Sequence, residues 1–259
     1  MSERTSYLPG VPCWVDLATT DPAGANRFYG ELFGWTVHDQ GAEFGNYGMA
    51  ELRGKTVAGI GPVPPGSQSP PAWSTYLASP DIDETVATVK EAGGMVVMGP
   101  MDVGDAGRLA FAQDPAGAFV GFWEAKDHPG AQLVNEPGAV AWNELVVRDA
   151  AAADRFYQAL FGYELEKVDG PPDFDYVLVK VGDDGVAGRY LAGAEVPPEV
   201  PPHWLTYFAV EDTDAVAEKI TALGGTVVRA PADTPYGRMA TCVDPAGATF
   251  AIIRLPDQS

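Results

Sequence analysis

Apolar residues fall into two rhythms along this chain. Ala25, Phe28, Tyr29, Leu32 and Phe33 recur at the three-and-four spacing of a helix with one buried face. Asp21 suits the N-cap, Pro22 the first helical position and Gly34 the stop. The same pattern returns after Asp149, with Ala153, Phe156, Tyr157, Leu160 and Phe161 on the stripe. A second pair of helices starts at Asp81 and Asp212. One buries Ile82, Val86 and Val89, the other Val216, Ile220 and Leu223, and each ends at a Gly-Gly pair, Gly93-Gly94 or Gly224-Gly225. The remaining runs, among them residues 47–52, 95–98, 108–112 and 176–181, are short, rich in β-branched or aromatic residues and bounded by Gly, Pro or Asp, so they read as strands. The order that results is strand, helix and three strands, four times over, an α+β chain.

The chain is also an internal repeat. Trp14-Val15-Asp16-Leu17 returns as Trp142-Asn143-Glu144-Leu145, and Arg27-Phe28-Tyr29 as Arg155-Phe156-Tyr157. Gly107-Arg108 matches Gly237-Arg238, and Asp114-Pro115-Ala116-Gly117-Ala118 matches Asp244-Pro245-Ala246-Gly247-Ala248, in the same order. The division this predicts is a first domain over residues 1–125, a linker over 126–138 and a second domain over 139–259. The Gly- and Pro-containing linker reads as a surface crossing. Proline-rich stretches at 64–71 and 197–202 divide each copy again and predict extended crossings.

Charge and length narrow the classes. With 259 residues, each copy is long enough to bury its own core without a stabilising metal or disulfide. The 36 acidic and 16 basic residues give a net charge of −20, which repels phosphate backbones and anionic lipid and argues against a nucleic-acid or membrane partner. No leader-like segment or long apolar stretch occurs, so the expected location is cytoplasmic. Cys13 and Cys242 lie far apart without a CxxC or Cys/His cluster, and read as small buried side chains. No GxGxxG fingerprint, flavin motif or haem-attachment sequence is present, so no cofactor is expected.

The strand-helix opening with Phe-Tyr and Phe-Gly, the helix ending in Gly-Gly and the Asp-Pro-x-Gly turn before a last strand resemble the vicinal oxygen chelate superfamily of glyoxalases, bleomycin-resistance proteins and extradiol dioxygenases. The resemblance covers nearly the whole chain. It implies tandem glyoxalase-like domains, each two βαβββ modules forming a cupped mixed sheet, paired within the chain as a pseudo-dimer. More narrowly, the tandem Trp-x-Asp/Glu-Leu, Gly-Arg and Asp-Pro-Ala-Gly-Ala motifs are similar to two-domain actinobacterial proteins that carry a provisional hydroxylase description, some of them tied to aromatic polyketide biosynthesis.

The resemblance also implies where a metal belongs: on the first, fifth and last strand of a domain, held by His or Glu. Lewis acidity at that point polarises a substrate oxygen, and several N or O donors must converge to hold the ion. Carried onto this chain, the positions fall on Trp14 and Trp142, on Ser74 and Leu205 (or, one residue off, Trp73 and Trp204), and on Gly121 and Ala251. None is a metal ligand, so no metal site is expected. A displaced site would need three of His203, Glu124, Asp16 and Glu144 to meet, whereas single polar residues near a strand end are more readily solvated or capping, and His38 and His128 fall at a strand end and in the linker.

Alternation along a strand then puts Asp16 beside Trp14, Glu144 beside Trp142, and Tyr76 and Tyr207 inside the cups. Asp16 and Glu144 become the candidate catalytic groups, since burial raises a carboxyl pKa toward general acid or base work. Trp14, Tyr76, Arg108, Trp142, Tyr207 and Arg238 are the candidate ligand contacts. Arg108 and Arg238 are expected to pair with the two carboxylates in a repeated ion bridge. A cup of Trp and Tyr around one carboxylate suits a flat, largely apolar ligand; filling of the cups as plain core is the competing expectation. The function this supports is metal-independent binding or modification of an aromatic, polyketide-like small molecule, as a hydroxylase component of secondary metabolism. The alternatives are a glyoxalase-like enzyme detoxifying 2-oxoaldehydes and a drug-sequestering resistance protein that catalyses nothing.

Overall fold

In the computed structural model, which describes residues 2–64, 66, 69–172 and 174–256, the repeat becomes two mixed eight-stranded sheets. The first domain runs β1 (Pro12–Thr19), α1 (Pro22–Phe33), β2 (Thr36–Asp39), β3 (Gly48–Leu52) and β4 (Lys55–Pro62). It continues β5 (Ala72–Ala78), α2 (Ile82–Glu91), β6 (Met95–Val103), β7 (Gly107–Gln113) and β8 (Phe119–Ala125). The second repeats this as β9 (Val140–Val147), α3 (Ala150–Phe161), β10 (Glu164–Lys167), β11 (Tyr176–Val181), β12 (Asp184–Leu191), β13 (His203–Ala209), α4 (Thr213–Ala222), β14 (Thr226–Thr234), β15 (Gly237–Val243) and β16 (Thr249–Arg254). The strand orders, β2-β3-β4-β1-β5-β8-β7-β6 and β10-β11-β12-β9-β13-β16-β15-β14, place the two modules of each domain back to back, with the opening strands β1 and β5, or β9 and β13, antiparallel at the centre.

The helix signals translate directly. Asp21 accepts from the Gly24 N–H, and Gly34 closes α1 in the left-handed conformation at φ 76°. Asp149 and Gly162 repeat the arrangement on α3. The second pair stops slightly earlier than the Gly-Gly pairs suggest, with Ala92 and Leu223 as C-caps. On α3 the stripe is less deeply covered than on α1: Ala153, Phe156 and Tyr157 are buried, while Leu160 and Phe161 are half-buried.

Helices cover one face of each sheet, and the helical faces of the two domains share their cores. Phe28, Tyr29 and Phe33 of α1 pack with Phe208, Phe250 and Ile252 of the second domain. Ile82, Val86 and Val89 of α2 pack with Leu145, Phe156 and Tyr157. Polar contacts repeat this exchange. The Tyr29 hydroxyl donates to Asp244 Oδ2 at 3.1 Å and the Tyr157 hydroxyl to Asp114 Oδ2 at 3.0 Å. Each phenol oxygen accepts from an indole, Trp73 or Trp204, at 3.0 Å.

Two readings of connecting segments need correction. The segment between the copies is not a simple surface crossing, since Ala131 and Leu133 are buried at 3% and 4% exposure. The second proline-rich stretch folds as a turn, with the Val200 N–H bonded to the Pro197 carbonyl at 3.0 Å, instead of running extended. Arg148 fixes it by donating to the carbonyls of Val196, Pro197 and Val200, a long-range contact that composition does not reveal. Pro65, Ser67 and Gln68 of the first stretch lie outside the described residues. Cys13 and Cys242 are both free and buried.

Candidate functional site

The face of each sheet opposite the helices is a cup. Register fixes which side chains face it, because Asp16 stands opposite Ser74 and Trp14 opposite Tyr76, while Tyr76 stands beside Gly121. The intervening Trp73 and Trp204 point the other way, into the shared cores, so the one-residue ambiguity on the fifth strand resolves to Ser74 and Leu205. A Cβ added at Gly121 would come within 2.5 Å of the Tyr76 ring, so the glycine at the last-strand position makes room for an aromatic side chain.

On this floor lies a chain of hydrogen bonds. The Trp14 Nε1–H donates to the Tyr47 hydroxyl oxygen at 3.0 Å, the Tyr47 hydroxyl donates to Asp16 Oδ2 at 3.2 Å, and the Tyr76 hydroxyl donates to the same oxygen at 2.8 Å. The second cup copies it. Trp142 Nε1–H donates to Tyr176 at 3.0 Å, and Tyr207 donates to Glu144 Oε1 at 3.1 Å. Burial pushes Asp16 up to about 6, although the hydroxyls of Tyr76, Tyr47 and Ser74 pull it back down. Burial likewise lifts Glu144 to about 7, opposed by Tyr207, Tyr176 and the more distant Arg229. Burial and the neighbouring carboxylate drive Tyr47 and Tyr76 well above the ordinary phenol range, so both remain donors.

Tyr47 and Tyr176 are site residues that strand alternation alone does not pick out, since each precedes or opens a strand on the outer hairpin. The available signal was a pairing: Tyr47 crosses Gly59, and Tyr176 crosses Gly188. A Cβ at either glycine would come 1.7 or 1.9 Å from the phenol oxygen. Those glycines are the register partners of Asp16 and Glu144. Only a missing side chain there lets the phenol reach the carboxylate.

The expected ion bridges do not form. Arg108 binds Asp83 at 2.8 Å and lies near Glu124 and Asp102 at 3.6 and 3.7 Å; Arg238 binds Asp214 at 2.6 Å and Asp233 at 3.1 Å. Leu109 faces the first cup, so its neighbour Arg108 projects to the helical side, and there it meets the start of α2. Phenols, not guanidinium groups, hold Asp16.

The donors present do not fit the metal centre that the fold implies. Trp14, Ser74 and Gly121 stand where ligands would converge, and Asp16 already accepts hydrogen bonds from two phenols on one oxygen. The relocated alternatives are dispersed. Glu124 caps α2 through the Ile82 N–H, His38 faces Glu51, and His203 Nδ1 lies 2.8 Å from the Pro201 carbonyl. Among the described residues no three His, Cys, Asp or Glu side chains group closely enough to hold an ion.

The first cup encloses a cavity of about 580 Å³, within the size range of small-molecule sites. Trp14, Tyr47, Tyr76 and Trp123 give it flat apolar walls, and Phe44 stands at its edge, 48% exposed. His128, from the inter-domain segment, completes the wall edge-on to Trp14 and Trp123; burial lowers its pKa to about 4, so the ring is neutral at pH 7. Among the described residues lining this cavity are three carboxylates, Asp16, Glu43 and Asp102, and no lysine or arginine. In the second cup, Phe174 stacks on Tyr176 with 5.8 Å between ring centres, and Tyr190 and Tyr236 flank the same ring.

Comparison with known proteins agrees with this architecture. Residues 13–122 and 139–252 each match the model of the Glyoxalase/Bleomycin resistance protein/Dioxygenase superfamily. The chain is 45% identical over 260 residues to a Mycobacterium tuberculosis protein named "Putative glyoxylase CFP32", covering 98% of each. It is 39% identical over 272 residues to the anthracycline biosynthesis protein DnrV of Streptomyces peucetius, covering 97% of this chain and 95% of that one. In fold it is similar to the Mn(II)-bound glyoxalase of Novosphingobium aromaticivorans, at TM-score 0.67 and 14% identity, over 95% of this chain and 83% of that one. The 2,3-dioxygenase LapB of Pseudomonas sp. KL28 gives the same score and identity over 98% and 97%.

Proposed function

Since the chain belongs to the Glyoxalase/Bleomycin resistance protein/Dioxygenase superfamily yet has a tryptophan, a serine and a glycine at the implied ligand positions of its first cup, we propose that it works without a bound metal. In this reading the first cup takes a flat aromatic, polyketide-like molecule. The observation that carries the reading is the 580 Å³ cavity walled by indole and phenol rings over the half-buried carboxylate of Asp16. Trp14, Tyr47 and Tyr76 form the ring-binding surface, and Asp16 accepts or returns a proton at the ligand. The DnrV relative, by its name in anthracycline biosynthesis, supports a planar aromatic ligand. In a hydroxylation the protein serves as the component that binds and orients the ligand, with oxidant and electrons supplied by a partner protein. In this reading the two domains act as an intrachain pseudo-dimer, which the cores they share support.

The same cavity gives a second reading some weight. Asp16 and Glu43, with no lysine or arginine among the described lining residues, favour a cationic guest, as in a protein that sequesters a drug without converting it, while the third carboxylate, Asp102, is held by Lys126 at 3.1 Å. Protein purified without chelator decides between these readings and the metal-dependent one. The expected result is thermal stabilisation by a planar anthraquinone that EDTA leaves unchanged. About one transition ion per domain, with activity lost to chelator, would sink the proposal. Saturable binding of cationic ligands alone, weakened by salt and without turnover, would select the sequestering reading.

A further inference from the structure

The two domains treat one shared gap differently. In each, the first strand runs parallel to the fourth for only part of its length: β1 pairs with β4 from Asp16–Gly59 to Thr19–Pro62, and β9 with β12 from Glu144–Gly188 to Val147–Leu191. Ahead of those pairs the strands separate. In the first domain the inter-domain segment bridges the split through hydrogen bonds to both strands. The Ala131 N–H donates to the Cys13 carbonyl at 2.8 Å, the Gln132 N–H donates to the Thr56 carbonyl at 2.7 Å, and the Thr56 N–H donates back to Gln132 Oε1 at 3.1 Å.

By the repeat, Cys13 corresponds to Ala141 and Thr56 to Gly185. Both of these line a second cavity, of about 570 Å³, which shares no described lining residue with the first cup. The N-terminal run, which precedes β1 as the linker precedes β9, does not close it. That run pairs instead with the outer edge of the linker, through Arg4 N–H to the Gln132 carbonyl at 3.0 Å and Val134 N–H to the Ser2 carbonyl at 2.9 Å. It leaves Tyr7, Leu8 and Val11 as the far wall of the cavity.

We propose that this cavity is a binding site for an extended peptide segment of another protein, whose successive backbone N–H groups donate to the carbonyls of Ala141 and Gly185. Strand backbone groups need partners, and adding a strand is the usual way for a peptide to supply them. The filled split defines the guest's chemistry. At Gly130 a Cβ would lie 2.3 Å from the Cys13 carbonyl oxygen, so glycine leads the segment; a small residue, an amide-bearing residue and an aliphatic follow, as in Gly130-Ala131-Gln132-Leu133. Four extended residues span about 13 Å.

The test uses the full-length chain and the acetylated, amidated peptide Gly-Ala-Gln-Leu-Val, followed by backbone amide chemical shifts. The expected result is saturable shifts at Ala141, Trp142, Asn143 and Gly185. A control peptide methylated on its alanine and glutamine amide nitrogens should bind at least about tenfold more weakly, having lost both donors. The proposal is overturned by an absence of saturable shifts up to the order of 1 mM peptide. Shifts confined to Cys13 and Thr56, which would mean exchange with the resident linker, overturn it too, as does equal binding of the methylated peptide. The readout is independent of the first cup.

Discussion

The first and second cups share one polar skeleton, Trp–Tyr–carboxylate–Tyr, but differ in what stands above it. Over Asp16 lies a cavity; over Glu144, Phe174, Tyr190 and Tyr236 gather around Tyr176. The skeleton survives in both copies because it solves a folding problem, giving a half-buried carboxylate and its two phenol neighbours, one buried and one half-buried, their hydrogen bonds. The space above it carries no such constraint and has diverged. Duplication thus separates the part of the site that holds the sheet together from the part that admits a guest.

The largest expected effect breaks the symmetry outright. Trp14→Ala should weaken binding of a planar aromatic ligand roughly 100-fold, the scale of losing a central aromatic contact, while Trp142→Ala leaves affinity unchanged by calorimetry. Equal losses from both would mean that both cups work. Next, Phe174→Ala should turn the second cup toward the first, costing about 1–2 kcal/mol of stability as a half-buried ring is removed and raising the titrated stoichiometry from one ligand to two. An unchanged stoichiometry would show that the aromatic cluster is not what distinguishes the cups.

A smaller difference lies in pH dependence. A carboxyl whose folded pKa is raised binds its proton more tightly folded than unfolded. Its contribution to stability is therefore fully present below the ordinary carboxylate range and is lost as pH rises to the folded value. Relative to the native chain, Asp16→Asn should become progressively more stable from about pH 4 up to about pH 6, and Glu144→Gln up to about pH 7, both flat above. Denaturant melts across that range check the order; coincident windows would remove the distinction. Smallest of all, Arg108→Ala and Arg238→Ala should leave ligand affinity untouched, since both arginines pair with exposed aspartates at helix starts. A loss of binding in either would return the arginine to the cup.

Much of this molecule was open to reading because its signals are local. The caps at Asp21 and Asp149, the stripes of α1 and α3, and the return of Asp-Pro-Ala-Gly-Ala depend only on neighbours within a turn or two. Strand alternation correctly put Trp14, Asp16 and Tyr76 on one face, because parity along a strand is set by the backbone. The arginines went astray because parity must be anchored at one known residue, and nothing local says that Leu109, not Arg108, turns inward. Tyr47 reaches Asp16 over a glycine on the intervening strand, a contact that depends on register between three strands. His128 enters the first cup because the segment carrying it is held back against the turn between β6 and β7, through N–H bonds to the Asp105 and Ala106 carbonyls.

The order of residues settled the duplicated α+β architecture, the helices with their N-caps, and the lack of metal-binding side chains at the implied ligand positions, since these depend on side-chain type and spacing along one strand or helix. It was left to packing in three dimensions to choose the partner of each buried carboxylate, to leave one cup roomy beneath its rim and crowd the other, and to fill one inter-strand split while sparing its twin. Those outcomes rest on which of several chemically acceptable neighbours arrives at a given point, and that is decided by how sheets, helices and connecting segments compete for the same space.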